Sequence, residues 1–114
     1  MRVRRIKSYS AQTGYVYQYH FEGQRQGSGG TEYVFIVSRD RKHSFPLTIL
    51  LRREAVAAWA QRHGRALTGT EEYAAAKMRL FHAFDEIEDL EHAGAAVEVT
   101  PANVDELLAE VDIQ

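Results

Sequence analysis

The sequence predicts an α+β fold, in which a three- to four-stranded antiparallel sheet carries two helices on one face and a short C-terminal strand-helix unit completes its edge. Apolar residues recur with period two in the first half of the chain and with a period near 3.6 from residue 52 onward. A chain of 114 residues suffices for one hydrophobic core. We therefore expect a single domain over residues 1–114, with a β meander at 1–51, two helices at 52–91 and an acidic strand-helix tail at 92–114.

The first half of the chain contains three segments with strand patterns. In residues 15–22 aromatic residues alternate with other types, and residues 45–51 read FPLTILL. Residues 31–38, TEYVFIVS, place apolar side chains on both faces of the strand, which is typical of a strand covered on both sides. The segment GQRQGSGG, residues 23–30, predicts a flexible loop because four glycines oppose any regular element. Residues 1–9 fit either an edge strand or a loose basic arm.

Two helical patterns follow the predicted meander. Residues 52–63 place apolar side chains on one face, and residues 68–91 form the longest helical pattern in the chain. The three-residue spacing of Thr68 and Glu71 predicts a capping box at the start of the long helix, and Thr70 is an alternative cap. The long helix is therefore expected to be the main packing partner of the sheet.

The C-terminal part predicts one more strand and one more helix. Residues 96–99 have a short strand pattern, and Thr100 followed by Pro101 is typical of a helix start. The apolar face of this last helix comprises Val104, Leu107, Leu108 and Val111. Across all elements, the predicted core comprises Tyr17, Val34, Ile36, Leu47, Ile49, Val56, Trp59, Leu80, Phe84 and Ile87.

Charge is distributed unevenly along the chain. Residues 1–84 hold all 14 lysines and arginines and 6 acidic residues, whereas residues 85–114 hold 10 acidic residues and no basic one. Such a split predicts two fields of opposite sign, which face each other within the monomer or are offered to partners. The absence of cysteine excludes disulfides, thiolate metal sites and cysteine nucleophiles. With no apolar run long enough to span a membrane, we expect a cytoplasmic protein without membrane contact.

The segment HAFDEIEDLEH, residues 82–92, concentrates ionisable side chains on the long predicted helix. His82 and Glu86 have i, i+4 spacing, and Asp89 with His92 has the carboxylate-x-x-His spacing of carboxylate-bridged di-metal sites. No second carboxylate-rich helix supplies the remaining ligands, so a solvated acidic face is the favoured interpretation. His82, Glu86 and Asp89 are the candidates for a divalent metal, and we expect no cofactor.

The basic residues of the first half suggest a nucleic-acid interface. Tyr15, Tyr17 and Tyr19 form a stripe on one predicted strand, and aromatic rings on a basic sheet stack single-stranded bases. The competing and favoured interpretation places these rings in the core, against the long helix. The candidate contacts to nucleic acid or another anion are Arg4, Arg5, Arg25, Arg39, Arg41 and Lys42.

No catalytic constellation stands out, because the chain has no G-x-S-x-G elbow and the glycine-rich segment lacks the Gly-Lys-Ser/Thr of a phosphate loop. We therefore expect a non-enzymatic protein-interaction module whose partner is another protein or a second copy of the chain in a homodimer. In the second case, the C-terminal strand and helix either close the sheet of their own chain or add to the sheet of a second one. The alternatives are a nucleic-acid-binding module that uses the basic meander, and a small enzyme or metal-binding protein that uses the face of His82, Glu86 and Asp89.

Overall fold

A computed structural model describes residues 5–41, 43–93 and 97–114 and confirms the α+β class. A mixed five-stranded sheet is packed on one face by three helices, counted over these described residues. None of those helices is both long and apolar enough to cross a lipid bilayer. The elements are strands β1 (Lys7–Ser10), β2 (Val16–Gln26), β3 (Gly30–Arg39), β4 (Ser44–Arg52) and β5 (Glu98–Val99), helices α1 (Arg53–His63), α2 (Gly69–Glu86) and α3 (Val104–Ala109), and a 3-10 turn (Leu90–His92).

The strands lie side by side in chain order, β1-β2-β3-β4-β5. The pairs from β1 to β4 are antiparallel, and β5 pairs with β4 in parallel, with Leu51 opposite Val99. The prediction of a purely antiparallel sheet of three or four strands is therefore wrong in strand number and in the last pair. The physical reason is the connection: two helices join β4 to β5, and a crossover of that length brings the chain back in the parallel direction. Of residues 1–9, those from Lys7 onward belong to the edge strand, and residues 1–4 lie outside the described residues.

The predicted loop at residues 23–30 belongs largely to the sheet. β2 continues to Gln26, with a bulge between Phe21 and Gly23, and the turn closes where the Gly27 N–H donates to the Gly30 carbonyl at 2.8 Å. Glycine is needed at Gly30, whose φ of +147° is unfavourable for other residues and whose Cα faces the backbone of β4 closely. The glycines thus shape a long hairpin instead of interrupting it.

Helix α2 begins as predicted and ends early. The Glu71 N–H donates to Thr68 Oγ1 at 3.2 Å and the Thr68 N–H donates to Glu71 Oε1 at 2.9 Å, which confirms the capping box. The helix stops at Glu86 instead of residue 91, with Ile87 extended. The residues that follow are mostly acidic, and negative charge at a helix C-terminus opposes the helix dipole. Buried Leu90 in the 3-10 turn then anchors the chain to the core.

The C-terminal unit forms with later boundaries than predicted. β5 covers Glu98–Val99, and residue 96 of the predicted strand lies outside the described residues. Helix α3 begins at Val104 because Thr100 and Asn103 form a turn first, in which Asn103 Oδ1 accepts from the Thr100 N–H at 2.8 Å. On α3 the predicted apolar face is buried except at its end, where Val111 is exposed.

The core lies between the helices and one face of the sheet. Six of the predicted core residues are buried as expected, namely Tyr17, Leu47, Ile49, Trp59, Leu80 and Phe84. Val56 and Ile87 pack at its margin. The prediction that Val34 and Ile36 lie in the core is wrong, because the buried residues of β3 are those on its other face, Tyr33, Phe35 and Val37. The helices therefore cover one face of β3, although its sequence is apolar on both.

Ion pairs within the monomer connect the basic first part of the chain to its acidic last part. Arg52 Nη2 lies 2.9 Å from Glu98 Oε2, and Arg62 Nη1 lies 3.1 Å from Asp105 Oδ1. Each pair joins the basic first part of the chain to the acidic last part. Of the two expected arrangements, the two fields thus face each other inside one molecule, and the C-terminal unit closes the sheet of its own chain.

Glu71 makes the stability of the folded protein depend on pH, and this stability decreases as the pH falls. Hydrogen bonds from the Arg65 guanidinium and the Thr68 N–H lower the pKa of Glu71 from 4.5 to about 2. A depressed folded-state pKa contributes stability that is present above pH 4.5 and is lost as the pH falls through about 2. We expect Glu71→Gln to lower the free energy of unfolding at pH 7 and to flatten its decline between pH 5 and pH 2, measured by urea titration. Glu106→Gln, at an exposed position of α3, is the control, and identical pH profiles for the two variants would refute the assignment.

Candidate functional site

Of the three residues of the predicted metal face, His82 and Glu86 stay together on α2 and line one pocket, whereas Asp89 lies apart. His82 Nε2 lies 2.8 Å from Oε2 of Glu110, the residue that follows α3, and Glu86 is the exposed last residue of α2. Asp89 lies beyond the helix, where its carboxylate is 3.0 Å from Nδ1 of His92. Within residues 5–41, 43–93 and 97–114, no three histidine or carboxylate side chains are grouped to hold a metal ion. The early end of α2 is the reason that Asp89 leaves the predicted helical face.

The predicted basic contacts are dispersed and partly engaged. Arg25 Nε lies 2.7 Å from Glu32 Oε1, and the Arg39 guanidinium lies 4.0 Å above the Tyr15 ring centroid. Arg5 and Arg41 are exposed. The remaining two candidates, Arg4 and Lys42, lie outside the described residues. The described members of the set therefore do not converge on one binding surface.

Tyr17 and Tyr19 of the predicted tyrosine stripe belong to the core, as the favoured interpretation expected, whereas Tyr15 precedes β2 and is partly buried at the margin of the core. Tyr17 is stacked on Phe84 with ring centroids 4.3 Å apart, and Tyr19 packs edge-on against Phe81 at 5.7 Å. Both tyrosines are buried. Their rings are therefore not presented to bases, and a stacking platform on this face is excluded.

Within the described residues, no helix covers the opposite face of the sheet. Along β2, β3 and β4 the outward residues are partly or fully exposed except Ser38, which is buried, whereas the inward residues that alternate with them are mostly buried. The centre of this surface is apolar, since Val34 and Ile36 lie beside Pro46 and Thr48 in register. We call this surface the open face; its principal outward residues are Gln18, His20, Val34, Ile36, Ser38, Pro46, Thr48 and Leu50.

Charged residues surround the apolar centre of the open face in balanced numbers. The pair Arg25 and Glu32 closes at 2.7 Å, and the pair Arg52 and Glu98 closes at 2.9 Å. Arg41 lines a groove on the same face, near Ile6 and Ile36. Within the described part of the chain, the charged side chains of this rim include three arginines, Arg25, Arg41 and Arg52, and three glutamates, Glu22, Glu32 and Glu98. The open face therefore has an apolar centre, and these six rim residues carry no excess charge.

A second feature is a small cavity of about 100 Å³ beside the 3-10 turn, which we call the Tyr17 cavity. The Tyr17 hydroxyl is buried and has no hydrogen-bond partner among the described residues. Burial raises the pKa of this phenol, and the nearby Arg39 guanidinium opposes the change. The cavity is lined by Tyr17, Arg39, His43, Phe45, Asp89, Leu90 and Glu91.

Sequence reasoning did not identify either feature. The alternation of Gln18, His20 and Glu22 with aromatic residues in β2 indicates that one face of that strand meets water. Extended to β3, this signal would have assigned Val34 and Ile36 to the uncovered face. The Tyr17 cavity has no comparable signal, because its lining comes from distant parts of the chain.

Comparisons of the chain with protein-family models, with curated proteins and with solved structures found no match in any of the three. A functional proposal therefore depends on the geometry of the open face and of the Tyr17 cavity.

Proposed function

We propose that the protein is a non-enzymatic protein-interaction module that forms a homodimer through its open face. The observation that carries the proposal is the apolar centre of this face, where Val34, Ile36 and Leu50 are partly exposed on a sheet that helices cover on the other side only. Covering an aliphatic side chain fully stabilises an assembly by roughly 1.5 to 3 kcal/mol. A partner that covers these three residues would therefore gain a substantial apolar contribution.

The dimensions of the open face suit a second sheet. Strands β2, β3 and β4 have 11, 10 and 9 residues, which at ~3.3 Å per residue and ~4.8 Å between strands gives a surface of roughly 30 by 15 Å. Such a surface of about 450 Å² supplies roughly half of the ~800 Å² per partner of standard interfaces. Two sheets pack face to face at ~10 Å, with their strands rotated by ~30°.

The charge balance of the rim favours a second copy as the partner. A two-fold axis brings the same patch of each copy together, so a patch with excess charge of one sign would repel itself. The three arginines and three glutamates of the rim avoid that repulsion, and two ion pairs within the monomer already involve four of them. A polyanion such as nucleic acid, in contrast, would gain little from a face without excess positive charge.

The C-terminal unit supports the same choice of surface. In the sequence it was the candidate for pairing with a second chain, but β5 is hydrogen-bonded to β4 of its own chain and α3 packs against α2. Its acidic residues are likewise engaged within the monomer, for example His82 with Glu110. The open face then remains an apolar surface available for self-association.

Sedimentation velocity tests the proposal. We expect the parent protein to show a reversible monomer-dimer equilibrium over about 1 to 500 μM, with little dependence on salt because the contact is mainly apolar. Ile36→Lys should weaken dimerisation by at least about tenfold, since it places two cations near one another across a two-fold interface.

The control variant is Val111→Lys, which makes a similar change at an exposed apolar residue of the C-terminus, away from the sheet. It should dimerise like the parent, and circular dichroism should show that both variants fold. A parent protein that stays monomeric over the whole range, or an Ile36→Lys variant that dimerises as well as Val111→Lys, would overturn the proposal.

A further inference from the structure

We infer that the Tyr17 cavity is a binding site for a small carboxylate, which accepts hydrogen bonds from the Tyr17 hydroxyl and the Arg39 guanidinium. The first argument is the hydroxyl itself. Tyr17 is 1% exposed, and its hydroxyl has no hydrogen-bond acceptor among the described residues. A buried donor without an acceptor is costly, so the hydroxyl favours an occupant that brings an oxygen acceptor to it.

Arg39 selects an anionic occupant over a neutral one. Its Nη1 donates to the Glu88 carbonyl at 3.2 Å, and its plane lies over the Tyr15 ring, which holds the guanidinium at the cavity. A guanidinium has five N–H donors, so others remain for a ligand. The guanidinium is positively charged and has no hydrogen-bond acceptor. A carboxylate is therefore a better partner for it than water or an amide.

The two acidic residues that line the Tyr17 cavity, Asp89 and Glu91, each lie within hydrogen-bond distance of a histidine. Nε2 of His43 lies 2.9 and 3.0 Å from the two carboxylate oxygens of Glu91, and Nδ1 of His92 lies 3.0 Å from Asp89. Asp89 is also strongly exposed, so water screens its charge. The repulsion that these carboxylates exert on a bound anion is therefore reduced, whereas the Tyr17 hydroxyl is buried.

Volume and walls limit the size of the ligand. About 100 Å³ corresponds to roughly three water molecules at ~30 Å³ each. A carboxylate with one or two carbons, such as formate or acetate, fits this space. Phe45, Leu90 and the Tyr17 ring supply apolar contact for a methyl group and a low dielectric that strengthens the polar contacts. The ligand class is therefore a short-chain monocarboxylate.

Titrations followed by two-dimensional ¹H-¹⁵N NMR test the inference. Acetate should shift the Arg39 Nε–H and the Leu90 amide in a saturable way at millimolar concentration, because so small a ligand binds weakly. Acetamide has the same shape without the charge, and it should cause no saturable shift at these groups. Benzoate exceeds the volume and should also fail to bind.

Variants assign the effect to the proposed donors. Tyr17→Phe keeps the ring and its stacking on Phe84, and it should weaken acetate binding by at least about tenfold because one hydrogen bond to a charged group is lost. Tyr19→Phe removes the hydroxyl of a neighbouring buried tyrosine that does not line the cavity, and it should bind acetate like the parent. Arg39→Gln should abolish saturable binding.

Two results would overturn the inference. One is a parent protein whose shifts with acetate are linear or equal to those with acetamide, which would leave the cavity to water alone. The other is acetate affinity in Tyr17→Phe equal to that in Tyr19→Phe. The first result needs no variant, so it decides the matter even if a substitution disturbs folding.

Discussion

Replacing Phe84 with alanine is expected to lower the free energy of unfolding by about 3 to 5 kcal/mol, because truncating a buried phenylalanine removes its transfer free energy and leaves a cavity. Phe84 on α2 has no solvent exposure. Its ring is stacked on Tyr17 at 4.3 Å with an interplanar angle of 10°, and it also contacts Tyr9 at 5.4 Å. The substitution therefore removes a fully buried contact between the long helix and the first two strands.

Chemical denaturation measures this cost, with Phe81→Ala as the matched control. Phe81 lies three residues earlier on α2 and is only partly buried, where it stacks on Tyr9 at 4.7 Å. Its truncation should cost clearly less than that of Phe84. An unfolding curve for Phe84→Ala that matches the parent, or equal costs for both variants, would contradict the core described for α2.

Gly30→Ala is the second substitution with a large expected effect, a loss of roughly 3 kcal/mol or more. Gly30 has a φ of +147°, which a residue with a side chain rarely adopts. A methyl group there would overlap the Leu51 carbonyl oxygen and press on the Arg53 N–H. Both obstacles are backbone atoms at the junction of β4 and α1, so they cannot move aside without disturbing the sheet.

Gly69→Ala is the control for this prediction, measured by thermal and urea unfolding. Gly69 is the first residue of α2, a Cβ there would meet no atom within 4 Å, and its φ is not positive. Alanine also favours the helix, so this variant should be as stable as the parent or slightly more so. Equal stability of Gly30→Ala and the parent would show that the close approach at the hairpin base is not a constraint.

Local chemistry made much of the fold predictable. The boundary at Thr68 follows from its hydrogen bond with the Glu71 backbone, and the end of α1 follows from Gly64, which adopts αL with φ of +76°. The aromatic alternation of β2 likewise predicted that Tyr17 faces a helix. In each case the structure is determined by residues that are close together in sequence or that recur with a strict period.

The errors arose where distant residues decide the outcome. Period two separates the faces of a strand but does not say which face is covered, and in β3 both faces are apolar. The packing of α2 on Tyr33, Phe35 and Val37 therefore had to come from the tertiary structure. The early end of α2 is similar, since burial of Leu90 in a 3-10 turn competes with further helix formation.

Whether the candidate functional residues come together also depends on contacts between residues that are distant in sequence. The predicted grouping of His82, Glu86 and Asp89 required a helix that extends past Glu86, whereas the Tyr17 cavity requires that β2, β3 and the 3-10 turn meet. The position of Arg39 among the predicted basic contacts similarly depends on a partner that is far away in sequence, the Glu88 carbonyl.

By itself, the sequence determined the α+β class, the capping box of α2, the glycine that ends α1, the aromatic face of β2 and α2, and the opposition of a basic first part to an acidic last part. Only the tertiary structure decided which face of the sheet the helices cover, that β5 joins β4 in parallel, and that the opposite charges meet within one molecule. The physical reason is that propensity, capping and periodicity are local free energies, whereas burial and charge pairing depend on which distant surfaces come together.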